Sequence, residues 1–166
     1  MGSVTRVNFS RPRLVDGKLV SDPALMENTS EGPLPKIAAD NRMPMSAFAG
    51  DYERSTTRPK IAVVIAGLGI SAERSDRAIA NLPAAVTLAV SPFGRDVQGW
   101  VDKARGAGHE VLIEVPMEPT DFPESDPGPQ ALLAAAPPQE NIKRLHWAMA
   151  RATGYTGLTN MLGGRF

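Results

Sequence analysis

The sequence predicts an α/β fold of parallel βα repeats preceded by an irregular N-terminal segment, and three observations predict it. From Lys60 onward, short runs rich in Val, Ile and Leu alternate with stretches whose apolar residues recur at helical spacing. Short Gly- and Pro-marked links join most of them. Before Lys60 the rhythm is missing. Residues 1–58 hold only apolar scraps, such as Leu14-Val15 and Ala24-Leu25-Met26, between Asp-Gly, Asp-Pro and Gly-Pro-Leu-Pro punctuation that favours turns. They are expected to be an irregular tail or linker, and their Met, Leu and Ile residues leave open whether that tail lies along a folded surface.

The elements follow in order. Residues 61–66 (Ile-Ala-Val-Val-Ile-Ala) suit a strand buried on both faces. Gly67-Leu68-Gly69 makes a tight exit, and Ser71 is an N-cap candidate for a helix through about Asn81, ended by Leu82-Pro83. Residues 86–90 are the next strand. Val97, Trp100, Val101 and Ala104 stand at helical spacing within residues 96–107, closed by Gly106 and Gly108, so Trp100 reads as core rather than as a sugar platform. Residues 110–115 form a third strand. Five prolines within residues 119–137 mark a loop over the strand ends. Pro138 fits the first turn of a helix carrying Ile142, Leu145, Met149 and Ala152, with Gly154 as its C-terminal cap, and residues 155–162 begin a fourth strand.

Composition removes several functions. The chain has 166 residues, no cysteine and two histidines, His109 and His146, so neither a disulfide framework nor a Cys/His zinc module can be built from it. Eighteen basic residues balance 18 acidic ones, and there are only five Phe, two Trp and two Tyr, which argues against nucleic acid as a partner. No signal or transmembrane segment is found: Met1-Gly2-Ser3-Val4-Thr5-Arg6 leads to no apolar run, and residues 61–66 are too short for a bilayer.

In parallel βα folds, functional groups collect at the carboxyl ends of strands. The first end, Ala66-Gly67-Leu68-Gly69, lacks phosphate-loop spacing, and its glycines are explained by a sharp turn. The third end is acidic. Alternation places Glu114 on the opposite strand face from Val115, and Glu118, Asp121, Glu124 and Asp126 follow. These acids could ligate a hard cation, act as acid and base, or bind sugar hydroxyls, but spacing alone favours a solvated loop partnered by Arg165 or Lys143. His109 lies at the amino end of its strand and reads as structural. His146 lies on the last helix, and neither histidine has the Ser and acid neighbours of a triad.

Taken together, residues 59–69, Leu82-Pro83, Val86-Thr87-Leu88, residues 108–112, Pro116-Met117-Glu118-Pro119, Asp126-Pro127-Gly128-Pro129 and Asn160-Met161-Leu162-Gly163-Gly164-Arg165-Phe166 resemble the divergent polysaccharide deacetylase family. The resemblance covers about residues 59–166. In the tail, Asp22-Pro23-Ala24-Leu25 and Gly32-Pro33-Leu34-Pro35 resemble the segment that precedes this domain in some members. It implies part of a NodB-like distorted (β/α) barrel, a periplasmic or cell-envelope location, and an ancestral reaction in which metal-bound water attacks an N-acetyl group on a sugar. The family's domain continues past the Gly-Gly-Arg-Phe element, so residues 59–166 are expected to be the N-terminal part of a truncated domain.

The departures from the family matter most. Metal-competent members carry Ile-Asp-Asp-Leu-Gly where this chain has Ile65-Ala66-Gly67-Leu68-Gly69, a histidine where Glu114 stands, and Asn-His-Met-Gly where Asn160-Met161-Leu162-Gly163 stands. One oxygen ligand, Glu114, is left, and a lone carboxylate does not hold a catalytic zinc. The expectation is therefore a polysaccharide deacetylase-like envelope protein, a pseudoenzyme of carbohydrate metabolism that recognises glycan or acts as a scaffold. No cofactor or metal is expected, no catalytic residue is assigned, and the partner is a polysaccharide or peptidoglycan-type glycan. Glu114, Glu118, Asp121, Asn160 and Arg165 are the substrate-binding candidates. One alternative is an active deacetylase or hydrolase using Glu114 and Glu118 as acid and base, where zinc would serve. The other is a protein-interaction module in which the tail docks on a partner or on its own domain.

Overall fold

The computed structural model describes residues 22–50 and 57–166, with the backbone of Leu14–Val15 and Lys18–Leu19. The other tail residues, including the Met1-Gly2-Ser3-Val4-Thr5-Arg6 start, lie outside the described residues.

Four parallel strands and three helices alternate: β5 (Val64–Leu68), α2 (Ala72–Asn81), β6 (Thr87–Val90), α3 (Val97–Gly106), β7 (Val111–Met117), α4 (Pro138–Met149) and β8 (Gly157–Leu162). The sheet order is β5-β6-β7-β8, each strand beside its sequence neighbour. Local chemistry sets the helix starts. Ser71 accepts from the Arg74 N–H, Asp96 from the Gly99 N–H, and Pro138 occupies the first turn of α4.

All three helices cover one face. Val111 and Ile113 of β7 pack with Leu88, Val90, Ile79 of α2 and Val97, Val101 and Ala104 of α3. Two and four residues further along the same face, Val115 and Met117 meet Leu145 and Ala148 of α4. Each fully buried Val or Ile here contributes roughly 1.5–3 kcal/mol of transfer free energy. Sequential order with every crossover on one side is the winding of part of a βα barrel rather than of a doubly wound sheet.

Three expectations need correction. The first strand runs Val64–Leu68, not 61–66, and is not buried on both faces: Ile61 is 90% exposed, Val64 44% and Ile65 37%. Among the described strands β5 pairs only with β6, so it is a sheet edge, and an apolar run alone cannot tell an edge from a centre. Helix α4 ends at Met149 with Ala150 as its cap, and Gly154, at φ +79°, serves the turn into β8 instead. Strand β7 also extends two residues beyond 115, because Pro116 and Met117 still register with Met161 and Leu162 of β8.

Within the segment expected to be irregular, short elements stand between irregular stretches. β1 (Leu14–Val15) pairs with β2 (Lys18–Leu19), and β3 (Met26–Thr29) pairs antiparallel with β4 (Gly32–Pro35) after a 3-10 turn at Pro23–Leu25. A one-turn helix, α1 (Pro44–Ala47), follows. Arg42 bridges Asp22 at 2.5 Å and Asp40 at 2.7 Å, closing the segment into a loop around the small core of Leu25, Ala38 and Phe48. It is seated on the domain at the amino ends of the strands. There Gly50 donates to Glu110 Oε1, just before β7, and the Phe48 carbonyl accepts from Thr156, just before β8.

Candidate functional site

The opposite rim, at the carboxyl ends, holds the acidic cluster. Glu114 is the fourth residue of β7, and laterally paired residues in a parallel sheet share a face, so Glu114 lies on the same face as Thr159, its partner in β8, while Pro116 there pairs with Met161. This is the face away from α2, α3 and α4. Glu114 is 2% exposed, and its Oε1 accepts a 2.7 Å hydrogen bond from the Gly67 N–H of β5. The side chain spans β6, where Ala89, at the carboxyl end of that face, carries only a methyl group. Burial raises the Glu114 carboxyl above its ordinary value, and the Gly67 N–H pulls it back in part.

Gly67 can make this bond because its φ is +80°, a conformation glycine adopts without strain. A Cβ there would meet no atom within 4 Å. Gly67 is exposed and faces open space, whereas the Glu114 carboxylate it bonds is enclosed.

Glu118 is employed differently. Its Oε2 accepts from the Ala134 N–H at 2.7 Å and its Oε1 pairs with Arg165 at 3.1 Å, while its backbone bonds Leu132 and Arg165. It is 4% exposed and clamps the long 119–137 loop to the Gly163-Gly164-Arg165 element. Asp121 accepts from Ser125 and Asp126 from the Gly128 N–H, both as local turns. Asn160 pairs with Val115, which puts it on the helix-covered face, opposite Glu114, where its amide donates to the Leu162 carbonyl. The five candidates are thus split: Glu114 on the inner face, Glu118 joined to Arg165, Asp121 in its own turn, and Asn160 on the outer face.

Asn160 instead borders an open groove of about 660 Å³ between β8 and α4, lined by Leu145, Ile142, Leu158 and Phe166 among others. Neither histidine enters the rim. His109 is buried with its ring nitrogens facing the carbonyls of Val86 at 2.8 Å and Ile79 at 3.4 Å, a structural post at the amino end of β7. Trp100 packs against the main core. Among the described residues no three His, Asp or Glu side chains come together as a metal site. The residues that face Glu114, namely Gly67 through its backbone, Thr159 and the neighbouring Met161, do not make the donor set that a catalytic zinc requires.

Sequence reasoning missed Gly67 as a partner of Glu114, since the two are 47 residues apart and on non-adjacent strands. The signal available was Ala89, a small residue where a long side chain must cross.

Comparison with known proteins gives a consistent picture. The family model described as divergent polysaccharide deacetylase matches residues 63–166. A crystal structure of an uncharacterized protein from Agrobacterium tumefaciens C58 is similar at a TM-score of 0.77 and 44% identity, covering 81% of this chain. The chain spans 55% of the length of that protein. A search of curated proteins finds no match.

Proposed function

The chain belongs to the divergent polysaccharide deacetylase family, and on that premise we propose that it is a deacetylase-like protein that recognises a glycan, or holds one for a partner, without metal-dependent deacetylation. One observation carries this reading. Glu114, the acid at the position expected for a metal ligand, is engaged by the Gly67 backbone, and among the described residues it belongs to no group of three His, Asp or Glu side chains. A hydrolytic zinc needs three protein ligands and an open position, with a base beside it. Ala66 and Gly67 offer no side-chain donor, and Met161 is at best a soft one.

A buried acid bonded to an exposed glycine at the strand end suits a sugar hydroxyl or acetamide N–H, because a carboxylate in a poorly solvated site strengthens each hydrogen bond it accepts. The envelope location and a peptidoglycan-type glycan are part of the proposal, and they rest on the family. The reading that uses Glu114 and Glu118 as acid and base is less well supported, since both Glu118 carboxylate oxygens already hold the loop clamp. Titration of the protein with chitooligosaccharides and peptidoglycan fragments, with acetate release followed in parallel, tests the proposal. Saturable binding without acetate is the expected result; stoichiometric zinc with turnover refutes it.

A further inference from the structure

Among the described residues, one buried charge is left poorly satisfied, far from the acidic rim. Arg105, near the end of α3, is 4% exposed. One guanidinium nitrogen donates to the Phe48 carbonyl and the group lies 5.6 Å from the Phe48 ring, but its Nε and Nη2 have no hydrogen-bond partner. Burying a guanidinium with two nitrogens unsatisfied opposes the packing that buries it.

Glu110 is the charge that bears on Arg105, yet it is occupied in another way: its Oε1 accepts from the Gly50 N–H at 2.5 Å. Phe48 and Gly50 thus each take up one member of an acid–base couple. The same segment carries its own core of Leu25, Ala38 and Phe48, closed by Arg42 onto Asp22 and Asp40.

We propose that residues 22–50 form a releasable strap over the amino ends of the strands, latched where Phe48 and Gly50 engage Arg105 and Glu110 separately. In the docked state apolar burial by Phe48 and Leu25 opposes the unsatisfied guanidinium. In the released state Arg105 regains water and can pair with Glu110, which offsets part of the lost contact. The two states are therefore closer in free energy than the packing alone would make them. The strap is a conformational device built into the opposite end of the domain from Glu114.

Hydrogen exchange on the whole chain, read by mass spectrometry, tests this. The strap amides should exchange through an opening separate from that of the β6 and β7 amides, and Phe48→Ala should speed strap exchange about tenfold while leaving β6 and β7 unchanged. Arg105→Met, which keeps the volume and removes the charge, should slow strap exchange severalfold, and Arg105→Gln, which keeps a donor for the Phe48 carbonyl, should slow it too. The β6 and β7 amides report in each variant whether the domain remains folded. Strap and core amides exchanging together in the wild-type chain would overturn the proposal, and so would Arg105 variants that loosen the strap as Phe48→Ala does.

Discussion

The Gly67 N–H donates to Glu114 Oε1 across the intervening strand β6, at 2.7 Å, and so joins the first and third strands of the parallel sheet by a single side chain. This bond fixes a buried acid of the inner face at the carboxyl rim. It also orients a carboxyl group that burial disfavours in its charged form.

That conflict sets a pH dependence. The Glu114 carboxyl is raised in the folded chain, so the native state holds its proton to higher pH than the unfolded chain does. Its contribution to stability is fully present below the unfolded value, about 4.3, and is lost as pH rises through the folded value. Glu114→Gln keeps an acceptor for the Gly67 N–H and removes the charge. The difference in melting temperature between Glu114→Gln and wild type should move in favour of the variant as pH rises from about 4 to about 8. A difference that stays flat over that range would show that Glu114 is not held as described.

Glycine substitutions separate backbone strain from crowding. Gly67 has a positive φ and room for a Cβ, so Gly67→Ala should cost about 1 kcal/mol from the backbone alone. Gly128 also has a positive φ, +100°, and a Cβ there would stand 2.8 Å from the Phe93 ring. Gly128→Ala should therefore cost roughly 2 kcal/mol or more. Urea denaturation gives both values, and equal losses would mean that Phe93 does not rest on the 119–137 loop.

The Glu118 clamp predicts an order of effects. Glu118→Ala leaves the Ala134 N–H without its acceptor and should cost about 1–3 kcal/mol. Arg165 is 55% exposed at its side chain, so Arg165→Ala should cost about 1 kcal/mol or less. Thermal melts that reverse this order would place the weight of the clamp on the ion pair instead of the loop.

Much of the βα order was legible because its signals are local. Ser71, Asp96 and Pro138 mark helix starts by side-chain and ring chemistry, and β6, β7 and β8 follow from short apolar runs between them. What could not be read depends on partners distant in sequence. Residues 61–66 look the same whether a strand is central or at an edge, and only the pairing of β5 with β6 alone decides it. The docking of Phe48 onto Arg105 and Thr156 joins residues 57 and 108 positions apart, with no periodicity to announce it. At the rim, Glu114 and Asn160 were expected among one set of substrate-binding residues, but strand register separates them: they lie on opposite faces, although both belong to the carboxyl ends. Alternation within β7 located Glu114 correctly; the register between β7 and β8, which only the folded sheet contains, placed Asn160.

Whether Glu114 works without a bound zinc, as we propose, is decided by metal analysis of the purified chain coupled to an acetate-release assay on N-acetylated chitooligosaccharides, since among the described residues no three His, Asp or Glu side chains come together around it. Substoichiometric zinc after dialysis against zinc and no acetate above background are expected, with glycan binding that Glu114→Ala weakens about tenfold. One zinc per chain together with acetate release that Glu114→Ala abolishes would contradict the proposal.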